Sequence, residues 1–173
     1  GGASDGLVSS DEISGFEKVY GSSHNDSISG SANSETTKEL YRGLAGNDTI
    51  NGVSGFDEVD YSGDSAAGGT AGITANFSTG TVVDGFGNTD TITNIDAIQG
   101  TNSADVMTGG SNFVRFSGLG GNDTFTGSST DDEISYAHDA SNGGSAGVTV
   151  NLATGTATDG FGNTDTFSSI EMV

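Results

Sequence analysis

Along residues 100–135 a large apolar side chain returns at every ninth position, at Met107, Phe116, Phe125 and Ile134, with mainly polar or small residues between. Each is the eighth residue of a unit that opens on Gly. The units GTNSADVMT, GGSNFVRFS, GLGGNDTFT and GSSTDDEIS follow one another with no residue gained or lost. A nine-residue period is too short for a helical hairpin and lacks helical spacing, but it suits a six-residue turn followed by a three-residue strand. Three of the four units place Asp sixth (Asp105, Asp123 and Asp132), and the remaining one has Val114 there.

The same pattern starts earlier, at Gly21, with GSSHNDSIS, a swollen unit over residues 30–42, then GLAGNDTIN and GVSGFDEVD. Asp26, Asp48 and Asp57 hold the sixth place, and Ile28, Ile50 and Val59 the eighth. The swollen unit offers Glu35 near the Asp place, and its Lys38, Glu39, Tyr41 and Arg42 predict a loop bulging from the coil. Between the blocks lies a different segment, residues 61–99, repeated from Tyr136. Its AAGGTAG and SNGGSAG clusters predict turns. Ile73, Ala75 and Phe77 alternate with polar neighbours, as do Val148, Val150 and Leu152, which is the period of a strand with one buried face. A Thr-Gly turn and a wide DGFGNTD loop follow, and then Ile92, Ile95 and Ile98. The segment predicts about two further, less regular coils.

A longer repeat contains the short one. Residues 43–98 align with 118–173 without a gap at an offset of 75, with roughly half the positions identical, and residues 5–19 align with 84–98. The chain therefore reads as one continuous module over 1–173, made of a partial repeat (1–20) and two repeats (21–99 and 100–173), and as a fragment of a longer array.

GLGGNDTFT and GLAGNDTIN match the pattern G-G-x-G-x-D-x-U-x, with U a large apolar residue, everywhere except the second place, held by Leu119 and Leu44. On those residues the chain resembles the RTX (repeats-in-toxin) family of hemolysin-type calcium-binding nonapeptide repeats. The resemblance implies an all-β fold, a right-handed parallel β-roll and β-helix solenoid with calcium-binding turns. It also implies a secreted or cell-surface bacterial protein, exported by type I secretion through a C-terminal signal and folding when it meets calcium outside the cell.

Composition agrees with a solenoid. Hydrophobic residues make up 31% of the chain and Gly numbers 30, thin material for a globular core but enough for coils that each bury one or two side chains. The same composition would suit a disordered acidic linker, but a linker does not keep register over long repeats. The 24 acidic residues against 4 Lys and Arg give a formal charge of −20, which excludes nucleic acid and anionic membrane surfaces as partners and favours cations. No apolar run approaches the roughly 20 residues of a membrane span, so no membrane insertion is expected. No signal peptide opens the chain, and with no Cys there is no disulfide framework.

If one coil consumes two nonapeptides, Asp123 stacks on Asp105 and Asp48 on Asp26, with strands about 4.8 Å apart. Two carboxylates at that spacing repel by about 1 kcal/mol in water and about 3.5 kcal/mol at an effective dielectric near 20. A bound Ca²⁺, which takes six or more oxygen ligands, relieves this. The family resemblance assigns the donors: Gly118, Gly120 and Asp123 with Thr101, Ser103 and Asp105 as one site, and Gly43, Ala45 and Asp48 with Asp26 as its copy. Asp57 and Asp132 form the opposite edge, expected to bind weakly, in altered geometry or not at all, because Val114 interrupts one copy and the swollen unit the other. Asp90 and Asp165 of the DGFGNTD loops fit nonapeptides starting at Gly85 and Gly160, with an Asx-turn as the alternative role for such a loop.

A polysaccharide-active or polysaccharide-binding β-helix, of the kind associated with uronate lyases and epimerases, is the alternative reading. It needs a base, an acid and a cationic neutraliser. His24, His138, Tyr20, Tyr41, Tyr61, Tyr136, Lys18, Lys38, Arg42 and Arg115 are the candidates, and they form no recognisable set. Tyr61 and Tyr136 are expected to pack as strand residues. The expected partners are calcium ions and an extracellular glycan or cell surface, with no catalytic residue assigned.

Overall fold

The structure, a computed structural model, describes residues 2–3, 11–12, 17–32 and 38–173. Most of the partial repeat over 1–20, and the Glu35 place, therefore lie outside the described residues. The rest is almost entirely β, apart from the four-residue helix Asp64–Ala67 and the 3₁₀ turn Ala140–Asn142.

Each nonapeptide forms a turn and a short strand. Ser27–Ser29, Thr49–Asn51, Val106–Thr108 and Thr124–Thr126 bury their middle residue and turn the first outward, as the period of two requires. Successive units alternate between two sheets. One holds six strands in the order Glu133–Ile134, Arg115–Ser117, Ala97–Gln99, Phe56–Asp60, Lys38–Arg42, Lys18–Tyr20, all parallel. In the other, of ten strands, Val106 pairs with Thr124 and Ser27 with Thr49 in parallel register. Unit n thus lies beside unit n+2, and parallel strands joined only by the opposite sheet make a coil.

The eighth residues fill the space between the sheets. Ile50, Met107, Phe116 and Phe125 are fully buried, and Ile28, Val59 and Ile134 nearly so. Phe116 stacks on Phe125 at 5.9 Å and meets the edge of Phe77 at 6.2 Å. At about 1.5–3 kcal/mol for each side chain of this size, this column is the main apolar contribution to the fold.

Three sequence expectations change. The segment after Tyr61 is not two parallel coils. Thr74–Asn76, Thr81–Val83 and Thr89–Thr93 form an antiparallel meander within the ten-stranded sheet, and only Ala97–Gln99 crosses to the other sheet. The copy repeats this with Thr149–Asn151, Thr156–Thr158 and Thr164–Ser168. Alternation is the same for a hairpin and a coil, so the connections decide: links this short join antiparallel neighbours, whereas parallel ones need a long crossover. Gly80 (φ 66°) and Gly87 (φ 87°) make the two reversals.

The second change concerns Lys38–Arg42, which is a strand between Lys18–Tyr20 and Phe56–Asp60 rather than a bulging loop. Its buried positions are Glu39 and Tyr41, and a charged residue on the inward face concealed the alternation. Tyr61 also differs from expectation. It follows the strand Phe56–Asp60 and is buried, with its hydroxyl committed to the turn described below.

Candidate metal centres

The turns that carry the chain from the six-stranded to the ten-stranded sheet line one edge of the coil, and their Asp residues, continued by Asp90 and Asp165 at the start of meander strands, form two columns. In the first, the Asp26 N–H donates to Asp48 Oδ1 at 2.8 Å and the Asp48 N–H to Asp90 Oδ1 at 2.9 Å. In the second, the Ile73 N–H donates to Asp105 Oδ1 at 2.6 Å, the Asp105 N–H to Asp123 Oδ1 at 2.9 Å, and the Asp123 N–H to Asp165 Oδ1 at 2.9 Å. One carboxylate oxygen thus holds the neighbouring turn in register. Asn side chains extend the contact, with Gly46 and Gly121 donating to Asn88 and Asn163.

The turns close tightly because Gly stands where the carboxylate folds back. A Cβ at Gly43 would collide with the Asp48 carboxylate, and one at Gly118 with Asp123. The second place of both best-matching turns, where Leu replaces the pattern's Gly, adopts positive φ: 67° at Leu44 and 68° at Leu119. For a residue with a Cβ this left-handed conformation costs about 1–2 kcal/mol.

What distinguishes these carboxylates is the oxygen left over. Asp48 Oδ2 and Asp123 Oδ2 are buried and have no hydrogen-bond partner, an arrangement that costs energy unless a cation or a proton supplies the missing interaction. Asp105 has both oxygens engaged, by Ile73 and by Thr101, whose N–H donates at 2.8 Å. Asp26 is half-buried and bound by Ser22. Burial, reinforced by the Asp105 carboxylate, pushes Asp123 up to about 8. Burial alone leads for Asp105, at about 7, and for Asp48, at about 6. In each case N–H donors pull the other way and do not prevail. Metal-free, Asp123 and Asp105 hold protons into the neutral range and Asp48 into the mildly acidic one.

Gly43, Gly118, Gly120 and Thr101 are buried, Ala45 is half-buried and Ser103 is exposed. They lie in the facing turns, and the Gly121 backbone packs directly on that of Ser103. Among the described residues no three acidic or imidazole side chains converge on one point. A cation here would be held by two carboxylates and by backbone carbonyls, which is the chemistry of a hard oxygen-seeking ion such as Ca²⁺. The donor set fits that ion and does not fit zinc, which takes Cys and His. Asp90 and Asp165 differ from the others in that their second oxygens accept the hydroxyls of Tyr61 and Tyr136 at 2.9 and 3.0 Å.

The opposite edge is built otherwise. Asp132 receives the Val114 N–H at 2.9 Å and the Ser128 N–H at 2.6 Å, so both oxygens are occupied. Asp57 accepts the Tyr41 hydroxyl at 3.3 Å and lies opposite Glu39, with Oδ2 unpartnered. Burial and the Glu39 charge push Asp57 up to about 7. Sequence reasoning missed two acids on this edge. Asp96 Oδ2 accepts the Asp57 N–H at 3.0 Å, and Glu171 Oε2 the Asp132 N–H at 3.0 Å. They occupy matching places in the long repeat (NIDAI and SIEMV), and that correspondence was the available signal.

Of the residues weighed for catalysis, Lys18, Lys38, Arg42 and His138 line one cleft with Glu17, Glu58 and Asp60, and Arg42 lies over the Tyr20 ring at 5.1 Å, while the others lie apart. His24 is exposed in a turn, and Tyr61 and Tyr136 serve Asp90 and Asp165. Lys38, Arg42 and Arg115 pair with Glu58, Asp60 and Glu133 on the six-stranded sheet.

Residues 41–60 and 99–134 match the family model of the RTX calcium-binding nonapeptide repeat, in four copies. No curated protein matches the chain.

Proposed function

Since this chain carries RTX calcium-binding nonapeptide repeats, we propose that it is a calcium-folded structural segment of a secreted or cell-surface bacterial protein. The supporting observation is the buried, unpartnered oxygen on Asp48 and on Asp123, repeated at equivalent places in the two long repeats. Bound there, Ca²⁺ would supply positive charge to oxygens that otherwise need protons.

Asp123 with Asp105, and Asp48 with Asp26, would hold the ion, together with carbonyls from Gly118, Gly120, Thr101 and Ser103 in one site and Gly43 and Ala45 in the other. Asp90 and Asp165 extend the columns by one turn. Asp57 and Asp132 offer weaker positions on the far edge. The chain's own contribution is to stack the carboxylates through N–H donors and to exclude water around them.

Because the stacked turns exist only in the folded chain, calcium affinity becomes folding free energy. The chain stays open during type I export at low cytosolic calcium and winds up outside, where it acts as a stiff spacer or an adhesive surface toward glycans or cells. Isothermal titration of the metal-stripped chain with Ca²⁺ tests the reading. Saturable heat that is reduced in Asp48→Asn with Asp123→Asn supports it, and identical heats for variant and wild type reject it.

A further inference from the structure

Four buried carboxylates stand outside both the matched residues and the turn columns. Asp64 and Asp84 belong to the first inserted segment, and Asp139 and Asp159 to its copy. All four are at most 3% exposed.

The DGFGNTD loop explains one oxygen of each loop Asp. Asp84 Oδ1 accepts the N–H groups of Phe86 and Asn88 at 3.0 and 2.7 Å, and Asp159 Oδ1 those of Phe161 and Asn163 at 3.0 and 2.6 Å. This is the Asx-type cap that such sequences favour. It leaves Asp84 Oδ2 and Asp159 Oδ2 buried with no partner. The second acid of each pair leans on the residue beside the first. Asp64 Oδ2 accepts the Gly85 N–H at 3.0 Å and Asp139 Oδ2 the Gly160 N–H at 2.8 Å, while Asp139 Oδ1 is also buried and unpartnered. A Cβ on Gly160 would press against the Asp139 side chain at 2.8–3.3 Å, and one on Gly85 against Asp64 and the Ala71 carbonyl at 3.0–3.1 Å, so Gly is what lets the pairs close. The arrangement recurs although the residues around the helical acid change from SGDSAAGG to AHDASNGG.

We propose that Asp64 with Asp84, and Asp139 with Asp159, form a second class of divalent-cation site, separate from the nonapeptide turns and suited to a hard, oxygen-preferring ion such as Ca²⁺. Both acids of each pair supply charge, and the buried oxygens left unused are Asp84 Oδ2 in the first pair and Asp159 Oδ2 with Asp139 Oδ1 in its copy; backbone carbonyls or water would complete the shell. The two sites differ in their charged surroundings. Arg42, which pairs with Asp60, approaches Gly63 beside Asp64, and His138 adjoins Asp139 with its Nδ1 buried and unpartnered. The permanent guanidinium charge makes the Asp64 site the weaker of the two at neutral pH.

The competing explanation is a proton shared within each pair. Equilibrium dialysis of the whole chain against radioactive Ca²⁺ separates the two. Asp84→Asn with Asp159→Asn should bind two fewer ions per chain than wild type, or bind two of them about tenfold more weakly or worse, with the far-ultraviolet strand signal at saturating calcium unchanged. Should the loop caps prove necessary for folding, Asp64→Asn with Asp139→Asn removes the same sites and leaves those caps in place, with the same two ions lost. An unchanged ion number and affinity in the folded variants overturns the proposal while leaving the turn sites standing. A wild-type chain that takes up no calcium removes both.

Discussion

At one edge of the coil Asp48 and Asp123 each keep a buried oxygen with no partner, while at the other Asp132 has both oxygens satisfied by N–H donors. The same nonapeptide builds both edges, so the difference comes from what each turn meets. On the first edge Asp meets Asp, and stacking leaves negative charge without compensation. On the second, Val114 stands where an Asp would, and Asp57 shares its space with a tyrosine hydroxyl and Glu39. Although burial raises it, Glu39 is held below the usual carboxylate range by hydrogen bonds from Ser31 and Tyr41. On the proposed reading, a repeat makes a strong cation site only where its neighbour two units away is also intact, although Asp57 too keeps a buried oxygen without a partner.

The largest expected effect is at Asp123. Replacing it by Asn should destabilise the calcium-loaded chain by about 3 kcal/mol, the scale of breaking a buried charge pairing, and stabilise the metal-free chain by removing a buried carboxylate. Thermal melts with and without calcium should show the two opposite signs. If both melts shift the same way, the edge is structural rather than metal-binding.

Next in size is the response to pH without metal. Asp48, Asp105 and Asp123 have folded values of about 6, 7 and 8 against an ordinary value of 3.8. A carboxyl raised in the fold binds protons more tightly folded than unfolded, so its contribution is fully present below about pH 4 and lost as pH climbs toward 8. Acidifying the chelated chain from pH 8 to pH 4 should raise its melting temperature, as followed by circular dichroism. A flat or falling trend would contradict the buried column.

Building what the second edge lacks gives a smaller gain. Val114→Asp should add a calcium-dependent increment to stability opposite Asp132 and destabilise the chelated chain, since it creates a new carboxylate stack. Asp132→Asn in the native background should cost about 1 kcal/mol, the scale of an ordinary hydrogen bond, with only a small further cost in calcium. Tyr41→Phe, which removes one donor shared by Glu39 and Asp57, is expected at a similar size. Urea titrations in both conditions measure all three.

The nonapeptide blocks were legible because their turns and inward residues are local: the ninefold return of Met107, Phe116, Phe125 and Ile134 names the core, and Asp123 over Asp105 follows from register. The meander was not, because Ile73, Ala75 and Phe77 alternate identically in a coil and in a hairpin, and only the position of Gly80 and Gly87 relative to their partners separates the two. Lys38–Arg42 was misread because Glu39 points inward, held by the Tyr41 hydroxyl at 2.8 Å two residues along the same strand face, a satisfaction that the polar–apolar pattern does not display. Asp96 and Glu171 escaped notice for a related reason: they act in turns too short to complete the nine-residue pattern.

The most direct measurement of the central claim is a pair of thermal melts, one of the calcium-saturated chain and one of the same chain after exhaustive chelation at neutral pH. Strand signal and a cooperative transition should be present with calcium and lost or shifted far down without it. Coincident melts would mean that the stacked carboxylates need no metal, and would contradict the account.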